Sequence, residues 1–319
     1  MEPTRQPTGR VFDIQGHRGA RGLWPENTLA GFARTLALGV SAFELDIAVT
    51  RDGVAVVSHD PQPNPDHTRD ALGRYLESPG PPICTMSYEQ LRQYDVGRIR
   101  PGSAYAAEHP LQQAIDGERI PRLADVFALV AGLREHGVRF NIETKLFPLQ
   151  PELTLAPEPF VQALLDDIRG AGMRSRATIQ SFDWRVLRIV QELEPGIATG
   201  ALTDQQPGDD TIQPDRPGPS PWLGGLDVHD YGGSVPRLAK ASGAACWSAD
   251  YRDLTAALVG EAHELGLRVV PWTVNDPLDM QRIIAMGVDG MISDRPDLLR
   301  AVLQAQGIAV PAPPPVAVF

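Results

Sequence analysis

Two histidines, three carboxylates and a lysine stand in four short segments of this chain: Gly16-His17-Arg18-Gly19, Glu44-Leu45-Asp46, His59-Asp60 and Glu143-Thr144-Lys145. Each segment closes a run of apolar residues that reads as a strand. Strand side chains alternate faces, so Glu44 and Asp46 point the same way, and so do Glu143 and Lys145. Two carboxylates from one strand and a third from another suit a hard divalent cation, which prefers oxygen ligands. His17 and His59 are candidates for proton transfer, because an imidazole with a pKa near 6.5 can give or take a proton at neutral pH. Lys145 and Arg18 bring the positive charge that an anionic phosphodiester requires. The set implies metal-assisted chemistry on a phosphodiester.

Such groups converge only if a frame brings distant strands together. Apolar runs followed by amphipathic stretches recur along the whole chain, the pattern of a parallel sheet with crossover helices. Eight strands are expected, at 11–16, 42–49, 139–143, 177–180, 197–202, 244–247, 267–273 and 287–293. A short strand at 54–58 follows the second, turned by Asp52-Gly53. Helices are expected from about Thr28 to Leu38, capped by Gly137 after 123–135, and after Asp183, whose side chain suits a helix start. Eight strand-helix units imply an α/β chain closed into a (β/α)8 TIM barrel. Its active site should then lie at the carboxyl ends of the strands, where each of the four segments falls.

Two stretches break the rhythm, at about 61–119 and 203–234, both rich in Pro, Gly and polar residues. They read as insertions, and loops this long in a compact enzyme usually act as lids or binding loops. Residues 1–10 form an N-terminal arm, 11–305 the barrel, and 306–319 a Pro-rich tail, of which Pro311 to Phe319 is expected to be loosely ordered.

Bulk composition narrows the partners. With 29 Lys and Arg against 40 Asp and Glu, the formal charge of −11 disfavours nucleic acid and anionic membrane surfaces. No run of roughly 20 apolar residues is present, and Met1 to Gly9 lacks a hydrophobic signal core, so stable membrane anchoring is not expected. A cytoplasmic location is expected, although a removed signal peptide would leave the same appearance. Cys84 and Cys246, the two cysteines, are too few for a disulfide framework and lack zinc-site spacing. Neither the preferred alcohol nor the oligomeric state can be read from the sequence.

The chain resembles the glycerophosphodiester phosphodiesterase family. The resemblance runs through His17-Arg18-Gly19, Pro25-Glu26-Asn27-Thr28, Glu44-Leu45-Asp46, Thr50-Arg51-Asp52-Gly53 and His59-Asp60. It resumes at Ile120-Pro121, Asn141-Ile142-Glu143-Thr144-Lys145, Gln180-Ser181-Phe182, Trp272-Thr273-Val274-Asn275 and the segment from Gly287 to Pro296. It implies a (β/α)8 barrel in which Glu44, Asp46 and Glu143 bind one divalent cation, Mg2+ or Ca2+. It further implies that His17 and His59 are the acid/base pair, that Arg18 and Lys145 contact the phosphate, and that Trp272 packs against the glycerol or the departing alcohol. The implied substrate is a small-molecule glycerophosphodiester, hydrolysed to sn-glycerol 3-phosphate and an alcohol.

Other readings compete. A lysophospholipase D or sphingomyelinase D-like enzyme would need an apolar channel, and the insertions show no membrane-seeking segment. A phosphatidylinositol-specific phospholipase C would dispense with the metal carboxylates, and an inactive binding module would have lost a histidine or a ligand. All are present here. Structural roles are expected for Glu26 and Asn27, as tethers of the first helix, and for Asp294, as a cap of the last. His67, His109, His136, His229 and His263 have no partner motif. Trp24 and Trp247 are candidate pocket walls, and Arg21 reads as surface.

Overall fold

The structure, a computed structural model, describes residues 11–131 and 137–314. Its strands are β1 (Asp13–Gly16), β2 (Ala42–Val49), β3 (Ala55–Val57), β4 (Arg139–Thr144), β5 (Ala177–Ser181), β6 (Ala198–Thr203), β7 (Cys246–Ala249), β8 (Arg268–Val269) and β9 (Gly290–Ser293). The hydrogen-bonded order is β8-β7-β6-β5-β4-β2-β1-β9, all parallel, with β3 folded back antiparallel on β2. Backbone bonds from Asp289 N–H to the Val269 carbonyl and from Ile292 N–H to the Pro271 carbonyl, both 2.9 Å, join the last strands and close the barrel. The expected seventh strand, 267–273, is regular only at Arg268–Val269. Pro271 explains the break, since it has no N–H to give to the ladder.

Helices alternate with the strands. In chain order they are α1 (Leu29–Leu38), α2 (Tyr88–Leu91), α3 (Ala104–Glu108), α4 (Leu123–Leu129) and α5 (Pro157–Gly170). Then come α6 (Trp184–Leu193), α7 (Val235–Ala241), α8 (Ala256–Glu264), α9 (Pro277–Ala285) and α10 (Pro296–Ala305). The Thr28 hydroxyl caps α1 by accepting from Gly31 N–H, and Gly39 ends it at φ 83°, a left-handed turn that glycine adopts without strain. Asp183 caps α6 as its sequence position suggests. α4 ends at Leu129, six residues before the expected boundary; residues 132–136, with His136, lie outside the described residues.

Both faces of the barrel wall are buried, for different reasons. Outward-facing Phe43 and Phe140 meet Phe32 of α1 and Phe127 of α4, with ring centroids 5.2, 6.0 and 4.9 Å apart along the series. Burying such rings supplies much of the apolar driving force for docking helices on the sheet. Inward-facing polar residues form a column instead. Asp13 accepts from Gln15, Asn141 bridges Gln15 and Gln180 at 2.8 and 2.9 Å, and Gln180 donates to Glu44 at 3.1 Å. Arg139 and Arg268 balance Asp13 at the foot of the column, each at 2.7 Å. The polar interior is therefore hydrogen-bonded along its length, as burial demands.

The first insertion carries α2 and α3 and builds a small second core, in which Ile83, Met86, Leu91 and Val96 pack on Ala48 and Val56 of the β2–β3 hairpin. Residues 308–311 dock on the barrel, which ties down the start of the tail expected to be loose. Ile308 and Val310 pack on the main core, and Arg300 donates to the Pro311 carbonyl at 2.7 Å.

Gly290 sits opposite Asp13 in the β1–β9 pairing, and a Cβ there would fall 2.4 Å from the Asp13 Cβ and 2.5 Å from its carbonyl oxygen. Gly290→Ala should therefore lower stability by about 1–3 kcal/mol, the scale of overpacking in a rigid core. Urea unfolding of the two proteins measures it; equal midpoints would mean that the seam yields.

Candidate active site

The β2–β4 register sets Asp46 beside Glu143 and Glu44 beside Asn141. Ligand oxygens of Glu44, Asp46 and Glu143 all lie within 4.8 Å of one another, and all three residues are buried. Burial raises the Glu44 carboxyl well above its ordinary pKa, and the neighbouring Asp46 and Glu143 add to the rise. Burial also raises Glu143, although Lys145 opposes it. Burial would raise Asp46 as well, but Arg18, His59 and Lys145 hold it below the usual carboxylate range. Asp46 Oδ1 has no hydrogen-bond partner among the described residues. A converging all-oxygen set with an unpartnered buried oxygen fits a hard divalent cation.

Cations complete the group. Lys145 Nζ stands 2.6 Å from Glu143 Oε1 and 3.8 Å from Asp46 Oδ1, as expected of two residues on one strand face. Arg18 Nε lies 3.3 Å from Asp46 Oδ2 and its Nη1 3.1 Å from Glu26 Oε1. The turn that carries Arg18 is unusual: Arg18, Gly19 and Ala20 have φ of 51°, 73° and 60°. Non-glycine residues in that region are strained and concentrate at functional sites. The turn is held by Arg18 N–H donating to Glu44 Oε2 at 3.1 Å and His17 N–H donating to the Ser293 carbonyl at 2.9 Å.

Each expected histidine is backed by a carboxylate. His17 Nδ1 is 2.5 Å from Asp294 Oδ1, with Nε2 3.8 Å from Glu44 Oε2. His59 Nδ1 is 2.9 Å from Asp60 Oδ1. Burial pushes both rings down to about 4, with Asp294 opposing the shift at His17, while Arg18 and Lys145 add to it at His59. Both rings are thus neutral at pH 7 in this state, with Nδ1 directed at its carboxylate.

His17, Arg18, Glu44, His59, Glu143, Lys145 and Trp272 all line one cavity of about 480 Å³ at the carboxyl ends of the strands, with Asp46 beneath it. Its far side comes from β5 to β8 and the second insertion. There Phe182 meets Trp272 and Trp222 edge-on, at centroid distances of 5.4 and 6.4 Å.

Several residues act differently from their sequence reading. Asp294 does not cap α10, which begins after Arg295 without a side-chain cap; it is taken by His17, by Arg21 at 2.8 Å and by Asn275 at 2.8 Å. Arg21 is accordingly a cavity residue. Asn27 donates to Asp46 Oδ2 at 3.0 Å, and Glu26 holds Arg18 while accepting from the Tyr105 hydroxyl of the first insertion. The helix cap is Thr28. His67 is not without a partner: its Nε2 lies 3.8 Å from Asp60. His109 packs edge-on against Tyr105, His229 meets the Pro214 carbonyl and His263 pairs with Asp289. Trp247 is fully buried with its indole N–H on Thr203, and Trp24 packs under Arg34, so neither walls the cavity. Phe182 and Trp222 do. No periodicity marks an aromatic residue inside an irregular insertion, and Asp294 earns its partner only through barrel closure.

The sequence model of the Glycerophosphoryl diester phosphodiesterase family matches residues 17–298. A "Glycerophosphodiester phosphodiesterase" of Caldanaerobacter subterraneus subsp. tengcongensis is 29% identical over 92% of this chain and 98% of its own length. The crystal structure of a Silicibacter pomeroyi protein assigned as a glycerophosphoryl diester phosphodiesterase is 34% identical, with a TM-score of 0.84 over 96% of this chain and 97% of that one. An Oleispira antarctica phosphodiesterase solved with its product sn-glycerol-3-phosphate has the same fold, with a TM-score of 0.66 at 21% identity over 92% and 97% of the two chains.

Three buried carboxylates that repel one another should be relieved by a cation that binds only the folded state. Millimolar Mg2+ or Ca2+ should raise Tm by several degrees, and Glu44→Gln should abolish most of the increment. Calorimetry or a thermal melt decides; an unchanged melt at saturating cation would remove the metal reading.

Proposed function

The chain belongs to the glycerophosphoryl diester phosphodiesterase family, and on that ground we propose that it hydrolyses small glycerophosphodiesters to sn-glycerol 3-phosphate and an alcohol with the help of one divalent cation. The observation that carries the reading is the convergence in one cavity of two carboxylate-backed histidines, a buried three-carboxylate cluster and the cations Lys145 and Arg18. Glu44, Asp46 and Glu143 would hold Mg2+ or Ca2+, which when bound offsets charge building on the phosphoryl oxygens. Lys145 and Arg18 bind the diester from the ends of β4 and β1, and Trp272 packs on its organic part.

Proton transfer belongs to the two imidazoles. Asp294 and Asp60 each accept from Nδ1–H, which leaves each Nε2 to exchange protons. One ring takes a proton from the attacking hydroxyl, of water or of the glycerol itself, and the other gives one to the departing alkoxide. The negative charge of a bound diester favours the protonated form of the ring that acts as acid.

Residues 11–305 act as one catalytic unit in this reading. No described helix is long and apolar enough to cross a membrane, and the free thiols Cys84 and Cys246 fit a cytoplasmic enzyme. A lipid substrate would find apolar contacts at Phe147 and at Leu149, which is 62% exposed on the cavity rim. Turnover should nevertheless be faster on glycerophosphocholine than on lysophosphatidylcholine, with loss in chelator and recovery on adding the cation. His17→Ala and His59→Ala should each reduce kcat by at least about a hundredfold, the scale of general acid-base catalysis. Full activity in chelator, or near-normal turnover by both variants, would overturn the proposal; preference for the lysolipid would move it to the phospholipase D-like class.

Asp294 touches no reacting atom in this scheme and acts by orienting His17. Asp294→Asn should lower kcat by up to about ten-thousandfold while leaving KM within a few fold, as loss of a histidine's carboxylate partner does elsewhere. A raised KM with kcat intact would assign Asp294 to substrate binding instead.

A further inference from the structure

The cavity is divided by charge. Residues from β1, β2 and β4 place the cations Arg18, Arg21 and Lys145 on its phosphate side, beside the carboxylate cluster. Across Phe182 the lining changes. The β6 end and the second insertion contribute Asp204, Asp209 and Asp210, against a single guanidinium, Arg252. That guanidinium is already taken: Arg252 Nη2 and Nε reach Asp250 at 2.6 and 2.9 Å.

Asp204 is the telling member. It is 6% exposed, lines the cavity, and makes no ion pair among the described residues. Its carboxylate accepts from Gln206 N–H at 2.7 Å. Its backbone is clamped from both directions, with its N–H on Thr211 Oγ1 at 3.1 Å and its carbonyl accepting from Thr211 N–H at 2.8 Å. Burial pushes its carboxyl up to about 6, and Asp250, Asp253 and Asp209 add to the rise. A carboxylate buried without a cation is costly, and its repeated neighbours are acids. Arg252 feels its charge but is committed to Asp250, so no cation pairs with Asp204 directly among the described residues.

Aromatic walls line the same cavity. The Phe182 ring is nearly perpendicular to both tryptophans, at 88° to Trp272 and 76° to Trp222, so the three form adjoining sides of a box. Phe182 also faces Lys145, whose ammonium lies 6.0 Å from the ring centroid, so a group bound in the box sits one ring away from the phosphate position. Aromatic faces combined with a carboxylate recognise ammonium and quaternary ammonium groups.

We propose that Asp204, Phe182, Trp222 and Trp272 form a subsite for the positively charged nitrogen of an amino-alcohol arm, so that the preferred substrates are glycerophosphodiesters of short cationic alcohols. The inference rests on the phosphodiesterase reading, and it extends that reading to the substrate class. The acidic rim residues Asp209 and Asp210 draw the same arm inward, while an inositol or second glycerol would leave Asp204 without its counter-charge.

The test uses the cation-loaded enzyme and a neutral isostere. Glycerophosphocholine is compared with the 3,3-dimethylbutyl ester of glycerol phosphate, in which carbon replaces the quaternary nitrogen. The cationic ester should be favoured in kcat/KM by at least about tenfold, within the range of desolvated cation–aromatic contacts. Asp204→Asn, which keeps the acceptor for Gln206, should bring that ratio close to one, and Trp222→Leu should reduce it severalfold. In parallel, calorimetry should show that the parent binds choline more tightly than 3,3-dimethyl-1-butanol, and that Asp204→Asn loses the difference. Equal handling of the two esters, or a ratio unmoved by Asp204→Asn, overturns the subsite. The binding arm needs no turnover: if no diester is cleaved, the phosphodiesterase reading falls, and the choline titration alone still decides the subsite.

Discussion

Like charges held close together in a dry place govern this structure. Glu44, Asp46 and Glu143 converge because parallel pairing of β2 and β4 leaves their oxygens within 4.8 Å of one another. Coulomb repulsion at such range is several-fold stronger in a protein interior than in water. Every neighbouring element answers it. Lys145 and Arg18 pair with the cluster, Asn27 and Gln180 donate to it, and the strained turn at 18–20 aims Arg18 N–H at Glu44. The first insertion joins through Tyr105, which binds the Glu26 carboxylate that holds Arg18. The strain of the turn persists because the surrounding bonds determine it several times over.

The two sides of the cavity answer different demands. The side built by β1, β2 and β4 is rigid, ion-paired and connected to the foot of the barrel through the amide column from Asp13 to Glu44. The side built by β5 to β8 is aromatic, acidic and partly made of an irregular loop. In the proposed function, chemistry common to all diesters is kept constant while one wall sets which alcohol is accepted. The separation follows from barrel architecture, where each strand end carries its own loop.

Much of the site was legible in the sequence because its residues belong to strands. Period-two alternation assigns Glu44 with Asp46 and Glu143 with Lys145 to shared faces, and eight apolar runs imply the closed barrel that brings those faces together. Legibility ended where a role depends on a partner far along the chain. Asp294 looks like a helix cap because it precedes α10, and only closure of the barrel brings it to His17. Glu26 and Asn27 look like helix tethers for the same local reason, and Arg21 looks like surface. The aromatic box could not be read, since Trp222 lies in an insertion with no periodic pattern and Phe182 gains its meaning from Trp272, ninety residues away. The strand expected at 267–273 was overread because a proline can sit in a barrel wall while lending only its carbonyl.

The contact between His17 and Asp294 joins positions 277 residues apart, near the two ends of the described chain. Loop closure over such a distance is entropically late, and long-range parallel pairing is slow relative to local helix formation. A nascent chain can therefore build α1, the β2–β3 hairpin and the carboxylate cluster well before its first histidine is oriented. Catalytic competence then marks the final step of folding rather than an early one. Any refolding measurement by spectroscopy should run ahead of recovered activity by the time needed to seat the last strand against the first.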